Sequence, residues 1–320
     1  MSVKGWFIVA HSAALGHKPV RRTLCDTPLV LFRSAGQAVA LLDRCAHRNV
    51  PLSLGCVVDG QIQCAYHGWR YDAAGVCQQV PALLSTEASK ARQVQSFLVH
   101  EGQGYIWVGL QDPGPPPVLR PATLRYDGRF AASLFATAEN ILDVPHTAFL
   151  HRGWFRGVGA PTRVTVVVRR QLHGVEAEYI GEAPPRGLVG RWLAPGGGVV
   201  KHIDRFALPS TAVVEYSLGP HALQISNFLT PVTAHETHVY THVDLQGPRW
   251  LQWAARALVP FGKQIGRQDA RMLAAQTRTL QHFGGEQFVY TDADVLGPHI
   301  ARLLKLGEQQ VGEHQVEIQI

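Results

Sequence analysis

Residues 45–67 read Cys-Ala-His-Arg-Asn-Val-Pro-Leu-Ser-Leu-Gly-Cys-Val-Val-Asp-Gly-Gln-Ile-Gln-Cys-Ala-Tyr-His, and this stretch decides the fold. It contains two short pairs, Cys45-x-His47 and Cys64-x-x-His67, with sixteen residues between them. Two thiolates and two imidazoles at this spacing can hold a tetrahedral zinc ion or a [2Fe–2S] cluster in which two His replace two Cys on one iron. A zinc finger usually keeps like ligands together, whereas each pair here mixes one Cys with one His, and this mixing favours the cluster.

The motif resembles the cluster-binding loops of the Rieske family of [2Fe–2S] proteins, and the residues beside it strengthen the resemblance. Arg48, the segment Pro51-Leu52-Ser53 and the segment Gly68-Trp69 are similar to the flanking residues of that family. The resemblance implies that the four motif residues bind a [2Fe–2S] cluster: Cys45, His47, Cys64 and His67. A zinc ribbon is the alternative.

Four loop positions show which branch of the family the motif resembles. Ala46 stands where Pro is usual in the oxygenases and Asn49 where Gly is usual, but neither is a ligand. The respiratory members resemble Cys-x-His-x-x-Cys with Cys-x-Cys-His and join the two loops by a disulfide. This chain has Val50 and Tyr66 at the positions of those extra cysteines, so that disulfide is excluded. A reducing compartment is therefore compatible with the sequence.

Composition predicts a soluble protein of two domains. The chain has 320 residues, of which 46% are hydrophobic and 17% charged. Near the N-terminus a five-residue apolar run is too short for a signal peptide or a membrane span, so we expect a cytoplasmic protein without membrane contact. The net charge of +6 favours the steering of an acidic electron-donating protein, with an ordinary solvated surface as the alternative. Nucleic acid is not expected as a partner because the basic residues are scattered.

The first part of the chain predicts a small all-β domain. Short segments rich in Val, Ile, Tyr and Trp, several of them closed by Asp or Gly turns, indicate strands. These segments are 6–10, 29–33, 38–42, 60–63 and 105–110. Residues 113–121 begin with Pro-Gly-Pro-Pro-Pro and indicate a linker. We therefore expect a cluster domain at 1–118 and a second domain at 119–320.

The second part of the chain predicts an α+β domain. A hairpin that turns at His173-Gly174 is expected from 163–169 and 174–180. Further strands are predicted at 211–217, 223–230 and 237–245. Residues 250–281 predict a helix that is interrupted at Pro260-Phe261-Gly262. A strand-rich sheet with helices around it is an α+β arrangement.

A second group of metal-ligating residue types lies at 139–151, which reads Glu-Asn-Ile-Leu-Asp-Val-Pro-His-Thr-Ala-Phe-Leu-His. Two His and one carboxylate with open positions are the ligands of non-haem Fe(II) oxygenases. An ideal α-helix would separate His146 and His151 by about 140° around its axis, so they could not share an ion there. Because Pro145 disturbs the helix, we predict a π-type turn that brings the two histidines together, and an end of the helix at Gly153.

The third ligand is expected from a distant part of the sequence. Residues 265–283 carry an apolar stripe at helical spacing, and Asp269 lies on that stripe. The stripe consists of Ile265, Met272, Leu273, Leu280 and Phe283. A buried carboxylate is costly unless it is paired or bound to metal, which favours Asp269 as a ligand, with Gln276 placed to hydrogen-bond it. The alternatives are an Asp paired at a helix start, or a third ligand supplied by Glu215 or Asp204.

The two groups of residues together resemble the Rieske non-haem iron oxygenases over nearly the whole chain. The segment Glu139-Asn140-x-x-Asp143-x-x-His146-x-x-x-x-His151, followed by Gln268-Asp269, is similar to the catalytic domain of that family. The resemblance implies three iron ligands: His146, His151 and Asp269. It implies that Asp143 bridges His146 and a cluster histidine of a neighbouring subunit and receives the electron, and that Asn140 lies beside the iron. A helix-grip (START-like) catalytic domain and a homotrimer are implied as well.

By this resemblance the chain is the α-subunit of a terminal oxygenase in the monooxygenase and demethylase branch. A separate reductase or ferredoxin would bring electrons from NAD(P)H, and a mononuclear Fe(II) would activate O2 to hydroxylate or demethylate a small organic substrate. No Gly-x-Gly-x-x-Gly follows a predicted strand, so NAD(P)H is not expected to bind this chain. The alternatives are an aromatic-ring cis-dihydroxylating dioxygenase and, in another class, an electron carrier or ligand-binding protein without catalytic iron. Phe149, Trp154 and Phe155 could line an apolar pocket or belong to the core.

Overall fold

The computed structural model describes residues 4–85, 89–151, 162–182, 200–218, 221–248 and 256–320. The chain forms two compact units that divide between Leu119 and Arg120. Strands dominate the first unit, and the second combines a large sheet with helices, which confirms the predicted fold class. No helix within the described ranges has the length and apolar character needed to cross a membrane.

The described residues of the first unit form antiparallel strands in two sheets. The strands are β1 (Gly5–His11), β2 (Val20–Leu24), β3 (Thr27–Ser34), β4 (Gln37–Leu42), β5 (Cys56–Val58), β6 (Gln61–Gln63), β7 (Arg70–Tyr71), β8 (Cys77–Gln79), β9 (Ser96–Gly102) and β10 (Tyr105–Leu110). One sheet has the order β1-β10-β9-β4-β3-β2, and the other has the order β5-β6-β7-β8. Short 3-10 helices lie at Ser12–Ala14, Leu52–Leu54 and Lys90–Arg92.

Strand β3 shows how the first unit is packed. Four consecutive residues of β3, from Leu29 to Phe32, are fully buried. Because successive side chains of a strand point to opposite faces, Leu29 and Leu31 enter one apolar cluster and Val30 and Phe32 enter another. The second cluster also contains Cys45 and Cys64. The core of this unit therefore extends to the two loops that carry the first motif.

The second unit is built on one antiparallel sheet of eight strands. They are β11 (Leu124–Phe130), β12 (Arg163–Gln171), β13 (Gly174–Ile180), β14 (Val200–Ala207), β15 (Thr211–Leu218), β16 (His221–Thr233), β17 (Glu236–Gln246) and β18 (Gly312–Gln319). Their order is β11-β17-β16-β15-β14-β13-β12-β18. The helices are α1 (Leu134–Leu142), α2 (Thr147–Leu150), α3 (Val259–Phe283) and α4 (Gly297–Leu306), and a 3-10 turn lies at Arg256–Leu258.

One face of the large sheet packs against α1 and α4. Phe135 and Ala138 of α1 and Ile300 and Leu303 of α4 belong to the same apolar cluster as the inward residues of the strands. Helix α3 packs against α1 through Leu273, which contacts Ala136. This contact places the first half of α3 beside the chain that leaves α1.

Helix α3 corrects two sequence predictions. The predicted interruption at 260–262 is wrong, because the helix continues through Pro260. Pro260 is the second residue of α3, where its missing N–H removes no intrahelical bond. The predicted stripe is also partly wrong: Leu273 is buried, but Met272 and Phe283 are 55% and 68% exposed. The part of the predicted helix at 250–255 lies outside the described residues.

Candidate metal centres

Helix α1 leads directly into the first potential ligand segment. Ser133 caps the helix, and its hydroxyl oxygen accepts a hydrogen bond from Ala136 N at 3.1 Å. The helix ends at Asp143, whose backbone is extended (φ −87°, ψ 109°). Pro145 follows two residues later, and a proline cannot continue a helix interior. The chain therefore turns at the point where the carboxylate of Asp143 leaves the helix.

His146 and His151 lie on either side of the single turn α2. His146 precedes the turn, and the amides of Phe149 and Leu150 donate to its carbonyl at 3.0 and 2.9 Å. His151 follows the turn with a non-helical backbone (φ −108°, ψ 31°). The predicted π-type turn is therefore wrong. The angle of about 140° expected in an ideal helix does not apply, because His151 lies outside the helical conformation. The Nε2 atoms of His146 and His151 lie 3.3 Å apart.

Of the three aromatic residues near this segment, the structure describes Phe149. Phe149 lies on α2, and its side chain is 85% exposed. Trp154 and Phe155 lie outside the described residues, as does Gly153, the predicted end of the helix. The apolar pocket suggested for these residues stays a prediction.

Asp269 completes a triangle of potential ligand atoms with the two histidines. Its Oδ1 lies 3.0 Å from His151 Nε2 and 3.6 Å from His146 Nε2. Among the described residues, these three are the group whose ligand atoms approach within 4.8 Å of one another. Asp269 is on α3, one turn before the buried Leu273, so the packing of α3 on α1 brings the carboxylate to the histidines.

The triangle fits a single metal ion. Two ligand atoms about 2.1 Å from one ion are about 3.0 Å apart at a right angle and about 3.4 Å apart in a tetrahedron. The three observed distances of 3.0, 3.3 and 3.6 Å lie close to these values. Asp269 Oδ1 is buried, and despite its proximity to His151 it forms no hydrogen bond of regular geometry within the described residues. The three donor groups, two imidazoles and one carboxylate, are those of the 2-His-1-carboxylate site of non-haem iron.

Each histidine ring is oriented through its other nitrogen. His146 Nδ1 lies 3.2 Å from Asp143 Oδ2, and His151 Nδ1 lies 2.8 Å from Gln268 Oε1. Both partners are acceptors, so each Nδ1 carries a proton and each Nε2 is the ring nitrogen left to bind a metal. The predicted hydrogen bond from Gln276 to the carboxylate of Asp269 is not formed among the described residues, and the Oε1 of Gln276 is buried without a hydrogen-bond partner there.

The protonation of the three residues suits metal binding. Burial raises the pKa of Asp269, but its contacts with His146 and His151 outweigh burial and lower that pKa below its ordinary value. Burial lowers the pKa of His146, but the carboxylates of Asp143 and Asp269 raise it to about 9. The metal-free site therefore holds a proton on His146, and a divalent cation would displace that proton.

Asp143 lies beside a small open cleft, which Glu139, Tyr179 and Asp294 also line. Burial, followed by the charges of Asp143 and Asp294, raises the pKa of Glu139 to about 7. Asn140 is half-buried in the last turn of α1, and its carbonyl accepts a hydrogen bond from Asp143 N at 3.4 Å. The roles of Asp143 and Asn140 stay predictions.

In the first unit, the two motif loops have the same backbone hydrogen bonds. Cys45 N donates to Val50 O at 2.9 Å, and Cys64 N donates to Trp69 O at 2.8 Å, five residues ahead in each case. The residue four positions after each cysteine donates back to the cysteine carbonyl, at 3.0 Å in the first loop and 3.1 Å in the second. The two loops therefore share one backbone hydrogen-bond pattern, although the histidine follows the cysteine by two residues in the first loop and by three in the second.

This equivalence explains why Asn49 is accepted in place of glycine. Asn49 and Gly68 occupy the same loop position, and both have a left-handed backbone, with φ of 59° and 71°. Glycine adopts this conformation without steric cost, and Asn tolerates it better than most residues. The unusual residue in the motif therefore leaves the loop geometry intact.

The four motif side chains lie together and fit a Rieske cluster. Cys45 and Cys64 are buried, and the rings of His47 and His67 are 4.5 Å apart between centroids. His47 stacks on Trp69 with a centroid distance of 4.7 Å. Burial lowers the pKa of His47, as do the nearby His67 and Arg48, and its Nδ1 is buried without a hydrogen-bond partner in the described residues. A neutral ring with an unpaired buried nitrogen is suited to bind iron.

A tyrosine that the sequence did not single out contacts the cluster motif. The hydroxyl of Tyr71, fully buried at the end of β7, lies 3.2 Å from Cys45 Sγ. The same oxygen accepts a hydrogen bond from Ala46 N at 3.2 Å, so its proton is available to the thiolate. Hydrogen bonds to cluster sulfur tune the reduction potential of iron–sulfur centres.

The two other candidates for a third iron ligand are paired elsewhere. Glu215 Oε2 lies 2.7 Å from an Nη atom of Arg205. Asp204 Oδ1 lies 3.1 Å from His202 Nε2. Neither belongs to the ligand triangle among the described residues.

Asp204 belongs to a second buried histidine cluster, which we call the His202 clamp and which consists of Glu182, His202 and Asp204. Glu182 Oε2 lies 2.7 Å from His202 Nδ1, so both ring nitrogens face a carboxylate. Tyr179 and Tyr216 stack on the two faces of the ring at centroid distances of 4.5 and 4.1 Å. The two carboxylates lie at opposite edges of the ring and cannot share one ion with it.

Comparison with known proteins identifies the family. The Rieske [2Fe-2S] domain family matches residues 5–97, and the vanillate O-demethylase oxygenase C-terminal domain family matches residues 130–305. A putative toluene-4-sulfonate monooxygenase system iron-sulfur subunit, TsaM2 of Comamonas testosteroni, is 33% identical over 270 residues, which cover 74% of this chain and 75% of TsaM2. The chain belongs to the Rieske oxygenase family. The cluster motif and the iron-ligand motif thus lie in the two domains that define this family.

Two demethylases align with a shorter part of this Rieske oxygenase. The oxygenase component of dicamba O-demethylase from Stenotrophomonas maltophilia is 36% identical over 159 residues, 46% of this chain and 47% of that protein. Methylxanthine N1-demethylase NdmA of Pseudomonas putida is 36% identical over 154 residues, 45% of this chain and 43% of NdmA. The aligned part of the chain thus spans less than half the length of each of these two relatives.

Solved structures of Rieske oxygenases share the fold over almost the whole chain. Dicamba monooxygenase bound to 3,6-dichlorosalicylic acid superposes with a TM-score of 0.75 at 22% identity, covering 95% of this chain and 97% of that chain. Pseudomonas putida NdmA with caffeine superposes with a TM-score of 0.74 at 23% identity, covering 94% of this chain and 90% of that chain. The likeness shows that both units have the architecture of the family.

Proposed function

We propose that this chain is a terminal oxygenase that hydroxylates or oxidatively demethylates a small organic substrate with O2. The observation that carries the proposal is the convergence of His146 Nε2, His151 Nε2 and Asp269 Oδ1 in a chain that also holds the Rieske loops. A mononuclear ferrous ion held by these three atoms would supply O2 activation, and a [2Fe–2S] cluster would supply single electrons. An electron carrier alone has no use for the convergent triangle.

The proposal gives each residue group a role. The cluster is held at residues 1–118 by Cys45, His47, Cys64 and His67, and the ferrous ion at residues 119–320 by His146, His151 and Asp269. Asp143 fixes the ring of His146 through Nδ1. Its side chain retains 24% exposure, so it can also accept a hydrogen bond from a cluster histidine of a neighbouring subunit in a homotrimer. Asn140 lies one turn earlier on α1 and is proposed to lie beside the iron.

Electrons are proposed to reach the cluster from a separate protein. The sequence contains no Gly-x-Gly-x-x-Gly nucleotide-binding motif, so NAD(P)H is proposed to act through a reductase or ferredoxin. The net charge of +6 supports an acidic donor. An acidic partner would associate faster at low ionic strength, and added salt would slow reduction of the cluster.

The names of the relatives direct the choice of substrate class. They include demethylases of dicamba, methylxanthine and vanillate. Methoxylated aromatic acids and N-methylated heteroaromatic compounds are therefore the first classes to screen. Demethylation balances as R–O–CH3 + O2 + 2 e⁻ + 2 H⁺ → R–OH + HCHO + H2O. Formaldehyde release thus separates demethylation from hydroxylation and from cis-dihydroxylation of an arene.

The decisive experiment is an iron count with spectroscopy on anaerobically reconstituted protein. An oxygenase should hold about three irons per chain, two in the cluster and one in the mononuclear site, and should show a Rieske-type paramagnetic signal after reduction. About two irons per chain would indicate an electron carrier, and zinc without that signal would contradict the proposal entirely. Substrate-dependent O2 uptake with formaldehyde detection then tests the reaction.

A further inference from the structure

Gln268 is placed to control the orientation of one iron ligand. His151 is almost fully buried, with 2% of its surface exposed. Its Nδ1 lies 2.8 Å from Gln268 Oε1, and its Nε2 lies 3.0 Å from Asp269 Oδ1. The amide oxygen of Gln268 can only accept, so the imidazole proton is held on Nδ1. The lone pair of Nε2 is thereby directed to the point where the three ligand atoms converge.

The two histidines differ in the charge of the group that orients them. His146 is oriented by the carboxylate of Asp143, and His151 by the neutral amide of Gln268. Asp143 and Asp269 together carry two negative charges, which balance the two positive charges of a ferrous ion. A carboxylate in place of Gln268 would add a third negative charge beside the ion, and this would favour the ferric state.

We propose that Gln268 is a positioning residue that fixes the Nε2 of His151 on the iron and, because it is neutral, keeps the charge of the site balanced for ferrous iron. This inference rests on the proposed function for the identity of the ion. It does not depend on turnover, because binding and redox state are measured without substrate.

Two substitutions test the two parts of the proposal on the full chain with its cluster in place. Q268L keeps the size of the side chain and removes the acceptor, so ferrous affinity should fall by about 10–100-fold in chelator competition. Q268E restores an acceptor, so ferrous affinity should stay within about threefold of the wild type, while the reduction potential of the mononuclear iron becomes more negative. That potential is followed by an EPR-monitored redox titration of the ferric signal.

Gln276 supplies the matched control. It lies on the same helix as Gln268, and its Oε1 has no hydrogen-bond partner in the described structure. Q276L should leave both the ferrous affinity and the reduction potential unchanged. An equal loss of ferrous affinity in Q276L and Q268L would show that substitutions in this helix weaken iron binding in general, and it would overturn the positioning role of Gln268.

The remaining outcomes are also decisive. Wild-type ferrous affinity in Q268L would overturn the positioning role, and an unchanged potential in Q268E would overturn the charge-balancing role. If Q268L does not fold, as judged by thermal unfolding, the Q268E potential alone decides the inference. If the wild type binds no mononuclear iron, the proposed function fails first. If the wild type binds iron and all variants equal it, only the inference about Gln268 fails.

Discussion

The second unit contains two buried groups of histidines and carboxylates that use the same residue types for different purposes. In the metal centre, Nε2 of His146, Nε2 of His151 and Oδ1 of Asp269 converge within 4.8 Å. In the His202 clamp, both nitrogens of one ring are bonded to carboxylates at opposite edges. The first arrangement leaves lone pairs directed at a common point, whereas the second has already used its donor atoms in ion pairs.

The difference teaches that side-chain direction, more than residue type, marks a metal site. Three ligand atoms from a one-turn helix and a second helix meet at one point because the backbone breaks at Asp143 and His151. His202 and Asp204 instead lie two residues apart on one face of β14, and a strand keeps such side chains parallel. Parallel side chains on a strand favour an ion pair between neighbours. Side chains at the ends of helices can instead point at one common position.

The largest effect is expected from the Asp143→Asn substitution. The amide retains the size of the carboxylate but loses its charge, so both metal centres should stay in place while turnover stops, a loss of more than about 100-fold. Turnover is measured by substrate-dependent O2 uptake and the centres by iron content. Asp204→Asn makes the same change in the clamp and should leave the turnover of folded protein unaltered. Wild-type turnover in the Asp143 variant would refute its role as the electron bridge.

Removing the charge of the clamp should affect stability instead of iron binding. His202 is 1% exposed, and in His202→Leu the carboxylates of Glu182 and Asp204 would remain buried without their cation. Breaking a buried ion pair from one side costs about 3–5 kcal/mol of unfolding free energy. Urea unfolding of the iron-loaded protein measures this loss, and iron content of the folded fraction should equal that of the wild type. A loss of iron with unchanged stability would reverse the assignment of the two groups.

The sequence predicts the metal centre better than the clamp, for a physical reason. The proposed cluster ligands and the two histidines of the candidate iron site occur in short segments with recognisable spacing, and Asp269 is a carboxylate on an amphipathic helix. Strand β14 was not predicted because His202 and Asp204 occupy inward positions where alternation would place apolar residues. The hydrogen-bond partners of such buried polar residues come from distant parts of the sequence. The strand therefore lacks the alternation of apolar and polar residues by which it could be predicted.

The orienting residue Gln268 shows another limit of sequence reasoning. Helical periodicity favoured Gln276, which lies seven residues after Asp269 and therefore nearly above it. The structure pairs Gln268 with His151 across 117 residues of sequence, although neighbouring helix positions point about 100° apart. Two adjacent residues can both contact His151 because Asp269 lies near its Nε2 and Gln268 lies near its Nδ1. No local pattern encodes a contact to both sides of a ring.

The clamp should also make stability depend on pH. Burial lowers the pKa of His202, but Asp204 and Glu182 raise it from 6.5 to about 9. A histidine whose pKa is raised on folding contributes its full stabilisation below pH 6.5 and loses it as the pH rises through 9. The free energy of unfolding should fall by up to about 3 kcal/mol over that interval. Urea unfolding measures it on iron-loaded protein, because His146 of the metal-free site would titrate in the same range.

Nitrogen NMR of histidine-labelled protein provides the direct check on this pH dependence. The imidazole of His202 should remain doubly protonated at pH 8, well above the ordinary range of histidine. A neutral ring at that pH would show that the clamp does not hold a cation. The pH dependence would then have to come from another group.

The smallest effect is expected in helix α3, which carries Gln268 and Asp269. Gly266 lies within this helix, and a Cβ at that position meets no described atom within 4 Å. Gly266→Ala should therefore raise the free energy of unfolding by about 0.5–1 kcal/mol and leave ferrous affinity unchanged. Gly307→Ala is the contrasting control, because Gly307 ends α4 with a left-handed φ of 81° and alanine should destabilise there. Weaker iron binding in Gly266→Ala would mean that the metal centre, unlike the clamp, depends on a flexible backbone.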